Sequence, residues 1–216
     1  MTTDAPARPI IWVLAGASGA GKSSVGGAMI RSRGGDYFDP DEEAARLRAT
    51  DPTLAAGAAD AAAWAVGRAL LERAITGRLD FAIETTLGGR TMPRLLRDAA
   101  TQGCDVNVWF VGLASADLHV ARVRARMAGG GHAVDDATIR ARYDACRDNL
   151  IDLLPFIAEL RIFDNSADGD PRAGQAPAPR ELAFLRRGRI VRRCDEAATP
   201  EWVKPILAAA MYLGGA

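Results

Sequence analysis

Short apolar runs alternate along the chain with longer stretches in which apolar and polar positions follow the spacing of helices. Five of these runs read as strands, at residues 10–15, 36–39, 81–84, 106–111 and 160–163. Strands that alternate with helices are typical of parallel sheets with right-handed crossovers. We therefore predict an α/β fold with a five-stranded parallel sheet and helices on both faces.

The segments between these runs show helix starts and stops. Acidic residues open a helix that follows Pro40, where Asp41, Glu42 and Glu43 occupy the first turn. An alanine-rich helix spans about 54–78, and we expect Gly77 to end it. Its predicted core contacts are Trp64, Leu70, Leu71 and Ile75. A further helix lies at about 90–103, and the two glycines after Ser24 weaken a helix predicted at 24–30.

The second half of the chain predicts a helical lid and a small C-terminal unit. Two arginine-bearing helices flank a glycine-rich hinge at 129–131, followed by His132, so we place a lid at about 116–145. Beyond a loop at 167–180, a hairpin around Gly188 and a closing helix at 202–213 form a C-terminal appendage, about 167–216. Residues 1–8 read as a flexible tail, and residues 9–216 as a single domain.

A phosphate-binding loop follows the first strand. The segment GASGAGKS fits the pattern G-x-x-x-x-G-K-[ST] at every fixed position and lies between a buried strand and a helix start. Lys22 would reach the β- and γ-phosphates of a nucleotide, and Ser23 would bind Mg²⁺ through its hydroxyl. The expected nucleotide contacts are Gly16, Ala17, Ser18, Gly19, Ala20, Gly21, Lys22, Ser23 and Ser24. Lysine here is not incidental, because only Lys22 and Lys204 among the 27 basic residues are lysine.

Carboxylates end two of the predicted strands. Asp39 and Asp41 follow the second strand, where they would either cap the next helix or face a ligand, and position alone does not decide between these. Glu84 ends the third strand. A carboxylate on a buried strand is costly unless it meets a metal, a water or a cation, so we interpret Glu84 as functional.

Arginines on the lid helices are candidate phosphate contacts. Arg122 and Arg126 are four residues apart and therefore share a helix face, whereas Arg124 fits a solvated basic surface. A lone loop histidine such as His132 is more often exposed than functional.

Composition excludes several classes of protein. The formal net charge of the 216-residue chain is zero, which argues against a broad nucleic-acid surface. Three widely spaced cysteines, Cys104, Cys146 and Cys194, form no metal spacing and indicate a reducing, cytoplasmic setting. We expect no membrane span and no signal peptide.

Several segments resemble the zeta-toxin family of P-loop kinases, in particular its short single-domain bacterial branch. The resemblance covers residue 11 to about residue 166. The segments that carry it are GASGAGKS, FDPDEEAARLR, FAIETTLGGR, ARVRARMAGGGH and DNS. It implies phosphoryl transfer from ATP, with Mg²⁺, to a hydroxyl of a small acceptor. The acceptor in characterised members is UDP-N-acetylglucosamine.

The resemblance also implies roles for single residues. Asp41 matches the general base, Glu84 and Thr86 match the contacts to the acceptor sugar, and Arg122 matches the first of two phosphoryl-stabilising arginines. The glycine and His132 stretch stands where the second arginine would lie. Either Arg126, Arg140 or Arg142 substitutes for it, or the toxin activity is altered and the acceptor is a different one. The predicted catalytic set is Lys22, Asp41, Arg122 and Arg126, and the predicted substrate-binding set is Asp41, Glu84, Thr86, Arg90 and Arg140.

Two other functions fit parts of the sequence. One is a P-loop ATPase or switch that acts on a protein partner, and the other is a nucleoside or RNA-end kinase. Two carboxylates at the predicted site favour a kinase over a switch, which needs only one metal-organising acid. A toxin would also have a separate antitoxin protein as its partner, since no inhibitory domain is visible in the chain.

Overall fold

The computed structural model describes residues 7–27, 37–128, 134–167 and 179–215. Parts of the predicted helix at 24–30, the residue Asp36, the glycine hinge and His132 lie outside these ranges. The strands are β1 (Ile10–Ala15), β2 (Tyr37–Phe38), β3 (Phe81–Thr85), β4 (Asp105–Gly112), β5 (Ile157–Asp164), β6 (Arg180–Arg186) and β7 (Arg189–Arg193). The helices are α1 (Pro40–Thr50), α2 (Ala56–Gly77), α3 (Thr91–Thr101), α4 (Ala116–Ala128), α5 (Asp136–Leu153) and α6 (Lys204–Gly215).

The sheet has seven strands in the order β2-β3-β1-β4-β5-β6-β7, not the five predicted. The first five in this order are parallel, and the C-terminal hairpin adds β6 and β7 antiparallel to the edge of β5. Its strand β6 joins the sheet because Leu182, Ala183 and Leu185 are buried in the main core. The C-terminal segment therefore extends the sheet that carries the phosphate loop.

Strand β1 lies between β3 and β4, at the position where the strand order changes direction. In parallel α/β sheets, ligands bind at such a position, beyond the carboxyl ends of the strands. The segments that follow β1, β2 and β3 meet there. These segments contain the phosphate loop, Asp39 and Asp41, and Thr86.

Helix α2 corrects two predicted core contacts. Leu71 and Ile75 are buried, but Trp64 is 42% exposed and Leu70 is 36% exposed. The helix packs against α1 through small residues, Ala59 and Ala63 against Ala44, so the two helices lie close together and the larger side chains project outward.

Helix α2 ends at Gly77, as predicted, and the residue that follows it, Arg78, takes the left-handed conformation, with φ of 52°. The amide of Leu79 donates to the carbonyl of Ala74, which closes the last turn and compensates for the strain.

The main core lies between the sheet and helices α3, α5 and α6. Trp202 shows how closely they pack: its ring lies against Phe110, with centroids 6.2 Å apart, and a Cβ at Gly112 would be 2.4 Å from it. None of the helices within the described ranges is both long and apolar enough to cross a membrane.

Candidate active site

The phosphate loop follows β1 and contacts the two strands that flank it. Gly16 has φ of +146°, and a Cβ there would lie 2.2 Å from the carbonyl oxygen of Val111, so only glycine fits. Its amide donates to the carbonyl of Thr85, 3.2 Å away. Ser23 and Ser24 continue into a short π-helical segment, Ser23–Gly27. The loop is thus held between β3 and β4.

Lys22 is only 8% exposed and points back along the loop. Its Nζ atom donates to the carbonyl of Gly16 at 2.9 Å and lies 3.4 Å from Oε1 of Glu84. A buried ammonium needs such partners, because burial without them would cost several kcal/mol. These contacts keep the ammonium inside the loop, where a polyphosphate would bind.

Glu84 is 9% exposed at the end of β3, as the sequence predicted for a carboxylate on a buried strand. Tyr37 on β2 donates its hydroxyl to Oε2 of Glu84 at 2.8 Å, while Lys22 approaches Oε1. Both carboxylate oxygens are therefore engaged. The side chain connects the phosphate loop to the second strand.

The two aspartates after β2 do different things. Asp39 is the N-cap of α1, and its Oδ1 accepts from the amides of Asp41, at 2.8 Å, and Glu42, at 3.4 Å. Burial raises the pKa of Asp39, and the charge of nearby Glu84 raises it further. Asp41 has its side chain in the cleft, where Nη1 of Arg126 lies 3.3 Å from its Oδ2. Capping therefore explains Asp39, whereas Asp41 has no capping role.

The lid arginines occupy different places. Arg122 and Arg126 both line the cleft beside the phosphate loop, and an Nη2–carbonyl bond of 3.4 Å ties Arg122 to Ala167. Arg124 pairs with Asp136 on the surface, as predicted for a solvated basic residue. Arg140 pairs with Asp117 at 2.5 Å and is absent from the cleft lining among the described residues.

Two adjoining compartments form the cleft. The loop compartment, about 320 Å³, is lined by the phosphate loop with Ser23, Asp39 and Arg122. The outer compartment, about 480 Å³, is lined by α2, β3 and the segment 89–92, and includes Trp64, Arg90 and Arg142. Both compartments share one wall. The residues of that shared wall are Ser18, Pro40, Asp41, Glu84, Thr85, Thr86 and Arg126.

Sequence reasoning missed three residues near this cleft. Trp64 was assigned to the core, but its ring lines the outer compartment with Arg68 stacked 5.7 Å from its centroid. His119 on α4 is 1% exposed and contacts Ser18, and Asn165 after β5 is 3% exposed and contacts Ala20. The sequence contained only two signals for these residues. His119 shares an apolar helix face with Val123, and Asn165 belongs to the DNS segment.

His119 is neutral in this environment. Its pKa is lowered to about 4, mainly by burial and also by the positive charges of Lys22, Arg122 and Arg147, while its bond to Ser18 acts in the opposite direction. Its Nδ1 lies 2.8 Å from the carbonyl oxygen of Ser18, which can only accept, so Nδ1 carries the proton and donates.

The donor set suits magnesium better than a closed metal site. Among the described residues, no three His, Cys, Asp or Glu side chains converge as a metal cluster. The loop compartment instead offers the hydroxyl of Ser23 with the carboxylates of Asp39, Asp41 and Glu84. Mg²⁺ is bound through few protein oxygens, together with waters and substrate phosphates, so these residues fit it.

Comparison with known proteins identifies the family. Residues 1–166 match the family model of the Zeta toxin. The chain belongs to the Zeta toxin family. A protein of Haemophilus influenzae described as uncharacterized is 29% identical over 147 residues, which cover 63% of this chain and 99% of that protein. Membership of this family, together with the phosphate loop, is the basis of the phosphotransferase activity proposed below.

Solved structures share the fold at low sequence identity. The AvrRxo1-ORF1:-ORF2 structure with ATP has a TM-score of 0.64 and 12% identity, covering 95% of this chain and 64% of that one. The chain therefore spans less than two thirds of that relative's length. The PezAT toxin-antitoxin system of Streptococcus pneumoniae gives a TM-score of 0.56 and 15% identity, covering 97% and 86%. These likenesses show the fold alone, an α/β fold with a mixed sheet and helices on both sides that is similar to the fold of P-loop kinases.

Proposed function

We propose that the protein transfers the γ-phosphate of ATP to a hydroxyl of a small acceptor, with UDP-N-acetylglucosamine or a related sugar nucleotide as the favoured acceptor. The observation that carries the proposal is the shared wall of the cleft. Its carboxylates, Asp41 and Glu84, face both the phosphate loop and a second compartment large enough for a small molecule. A nucleotide switch without an acceptor has no need of that second compartment.

In this reaction, the phosphate loop and Lys22 hold the donor phosphates, and Asp41 accepts the proton of the acceptor hydroxyl. A bond forms between that oxygen and the γ-phosphorus, the bond from phosphorus to the bridging oxygen breaks, and ADP leaves. Such transfer depends mostly on positioning and on neutralising charge. Arg122 and Arg126 line the loop compartment and supply positive charge for this purpose.

Magnesium would be held at Ser23. When bound, it would neutralise charge on the donor phosphates and help to place them in line with the acceptor. The neighbouring carboxylates Asp39 and Glu84 line the same compartment, so they would orient the water molecules of a bound magnesium ion.

Arg126 contacts the proposed base directly. Its guanidinium lies 3.3 Å from Asp41, and Arg126 is 42% and Asp41 64% exposed. Phosphates would attract Arg126 more strongly than one exposed carboxylate does, since bidentate arginine–phosphate pairs are among the strongest charge-assisted bonds. Donor binding would then free Asp41 for the acceptor hydroxyl.

The outer compartment has the chemistry of a site for a ring-bearing anion. Trp64 and Phe38 provide aromatic surface, and Arg90 and Arg142 provide positive charge. Aromatic side chains stack on bases, and arginine forms strong bonds with phosphates. A sugar nucleotide presents both groups, which supports this class of acceptor. Thr86 lies on the shared wall, where its hydroxyl could contact the sugar.

We also propose that a separate antitoxin protein inhibits this chain. The solved relatives named above are an ORF1:ORF2 complex and a toxin-antitoxin system. The cleft here is open to solvent along the shared wall, as shown by the exposure of Asp41, so a protein segment can reach it.

The test is mass spectrometry of products after incubation with ATP, Mg²⁺ and UDP-N-acetylglucosamine. We expect a product heavier by one phosphoryl group, formed by the wild type and lost with Asp41→Asn. Glu43→Gln is the matched control, because Glu43 lies on the same helix but pairs with Arg46 at the surface.

Two outcomes would count against the proposal. ATP hydrolysis that is indifferent to the sugar nucleotide and to Asp41→Asn would overturn both the acceptor and the base. Phosphorylation of nucleosides or RNA ends, with none of the sugar nucleotide, would replace the proposed acceptor by the nucleic-acid alternative.

A further inference from the structure

Two buried polar side chains hold the outer side of the phosphate loop, and neither belongs to the loop motif. Asn165 follows β5 and donates from Nδ2 to the carbonyl of Ala20 at 2.9 Å. His119 lies on α4 and donates from Nδ1 to the carbonyl of Ser18 at 2.8 Å. They reach the loop from sequence distances of 145 and 101 residues.

These two bonds determine which way two peptide groups of the loop face. In a trans peptide the carbonyl of one residue and the amide of the next point in opposite directions. Fixing the carbonyl of Ser18 therefore fixes the amide of Gly19, and fixing that of Ala20 fixes the amide of Gly21. Both glycines line the loop compartment. The amides of such a loop are the groups that bind phosphate oxygens.

The packing around both glycines leaves no room for a side chain. A Cβ at Gly21 would lie 2.4 Å from Nδ2 of Asn165, and a Cβ at Gly19 would lie 2.9 Å from the carbonyl oxygen of His119. Both glycines also have positive φ, at +81° and +82°. The glycines are therefore matched to the two side chains that pack on them.

We infer that His119 and Asn165 are positioning residues that orient the amides of Gly19 and Gly21 toward the donor phosphates. The inference rests on the proposed binding of ATP, but not on the identity of the acceptor. His119 also links the loop to the helix that carries Arg122 and Arg126, so the loop and the lid arginines share one support. Asn165 supplies the same support from the end of β5.

The experiment is calorimetric measurement of ATP affinity, combined with thermal unfolding of the same proteins without ligand. Asn165→Ala removes one donor, and we expect the Kd for ATP to rise about tenfold, as for loss of one oriented hydrogen bond. Asn107→Ala is the matched control. Asn107 is also buried, at 7% exposure, and its Oδ1, like that of Asn165, lacks a hydrogen-bond partner among the described residues, but it is in the middle of the sheet away from the loop.

His119 offers a rescue test. His119→Leu removes the donor and should raise the Kd for ATP about tenfold. His119→Asn places an amide donor near the former Nδ1 and should keep the Kd within about twofold of wild type. A purely structural role predicts no such difference between the two variants once both are shown to be folded.

The outcomes separate this inference from the proposed function. Equal weakening by Asn165→Ala and Asn107→Ala, or wild-type affinity in His119→Leu, would overturn the positioning role. Wild-type ATP binding without phosphorylation of a sugar nucleotide would overturn the proposed acceptor and leave the positioning role intact. A wild type that fails to bind ATP would overturn both.

Discussion

The two compartments of the cleft differ in how they are built. The loop compartment is built around one continuous motif, the phosphate loop, which is held from β3, β4, α4 and the end of β5 and whose lysine is buried with two partners. The outer compartment is assembled from α2, β3 and the segment 89–92, with an exposed tryptophan and arginines on its wall. The loop compartment suits the proposed phosphate donor. The outer compartment, which is assembled from several segments, suits the proposed acceptor.

We expect the largest effect from a substitution in the loop compartment. Lys22→Met removes the ammonium from the donor phosphates and leaves Glu84 buried without its cation, so we expect phosphoryl transfer to fall about 10³-fold. Acceptor binding, measured by calorimetry, should change by less than about twofold. Lys204→Met is the control, because the only other lysine pairs with Glu201 at the surface. Equal losses from both variants would contradict the assignment.

A second prediction concerns stability against pH. His119 has a pKa of about 4 when folded and about 6.5 when unfolded, so between these values the unfolded chain binds a proton that the folded chain does not. Stability is therefore lost as pH falls from 6.5 to 4, by about 3 kcal/mol from this residue.

The check is urea unfolding at pH 4.5 and 7, comparing wild type with His119→Asn. The stability lost between pH 7 and pH 4.5 should be smaller in the variant by most of the contribution of His119. His132, the only other histidine, is present in both proteins and cancels. Identical pH profiles would show that His119 does not stay neutral in the fold.

The third prediction separates two arginines on α5. Arg142 lines the outer compartment, whereas Arg140 pairs with Asp117 outside it. Arg142→Ala should raise the KM for the acceptor at least about tenfold, since it removes a charge-assisted contact. Arg140→Ala should change KM by less than about twofold, although the sequence placed Arg140 among the substrate contacts. The measurement is steady-state kinetics of both variants at saturating ATP. A larger rise in KM for Arg140→Ala than for Arg142→Ala would contradict the outer compartment as the acceptor site.

The smallest effect should come from Trp64. Trp64→Ala removes a partly exposed stacking surface and should raise the KM for the acceptor about fivefold, with ATP affinity unchanged. The melting temperature should hardly move, because the ring is 42% exposed. Tyr212→Ala, at 82% exposure on α6, is the control. A large loss of stability without a change in KM would contradict this role and support the core position that the sequence predicted for Trp64.

The same contrast explains what the sequence could predict. The phosphate loop depends on local geometry, in which each glycine and the lysine have fixed positions, so the motif identified it. Glu84 was also predictable, since a carboxylate on an apolar strand needs a partner. Position alone did not decide whether Asp39 or Asp41 faces a ligand, and the resemblance to a family favoured Asp41. The structure shows Asp39 as the helix cap and Asp41 in the cleft.

What the sequence missed depends on contacts between distant segments. His119 and Asn165 reach the loop across more than 100 residues, and no local pattern records such a contact. Trp64 looked like a core residue because apolar spacing does not reveal that α2 packs on α1 through alanines. The two extra strands were recognised as a hairpin, but its pairing with the edge of β5 depends on tertiary packing.

The most direct test of the account is a single-turnover measurement of phosphoryl transfer by Asp41→Asn with ATP and acceptor both saturating. Asp41 lies on the wall that the two compartments share, so its loss should leave both substrates bound and stop the chemistry between them. We expect transfer at least about 100-fold slower than wild type, the usual contribution of a general base. Transfer within about twofold of wild type would contradict the claim that the two compartments meet at this carboxylate to form one active site.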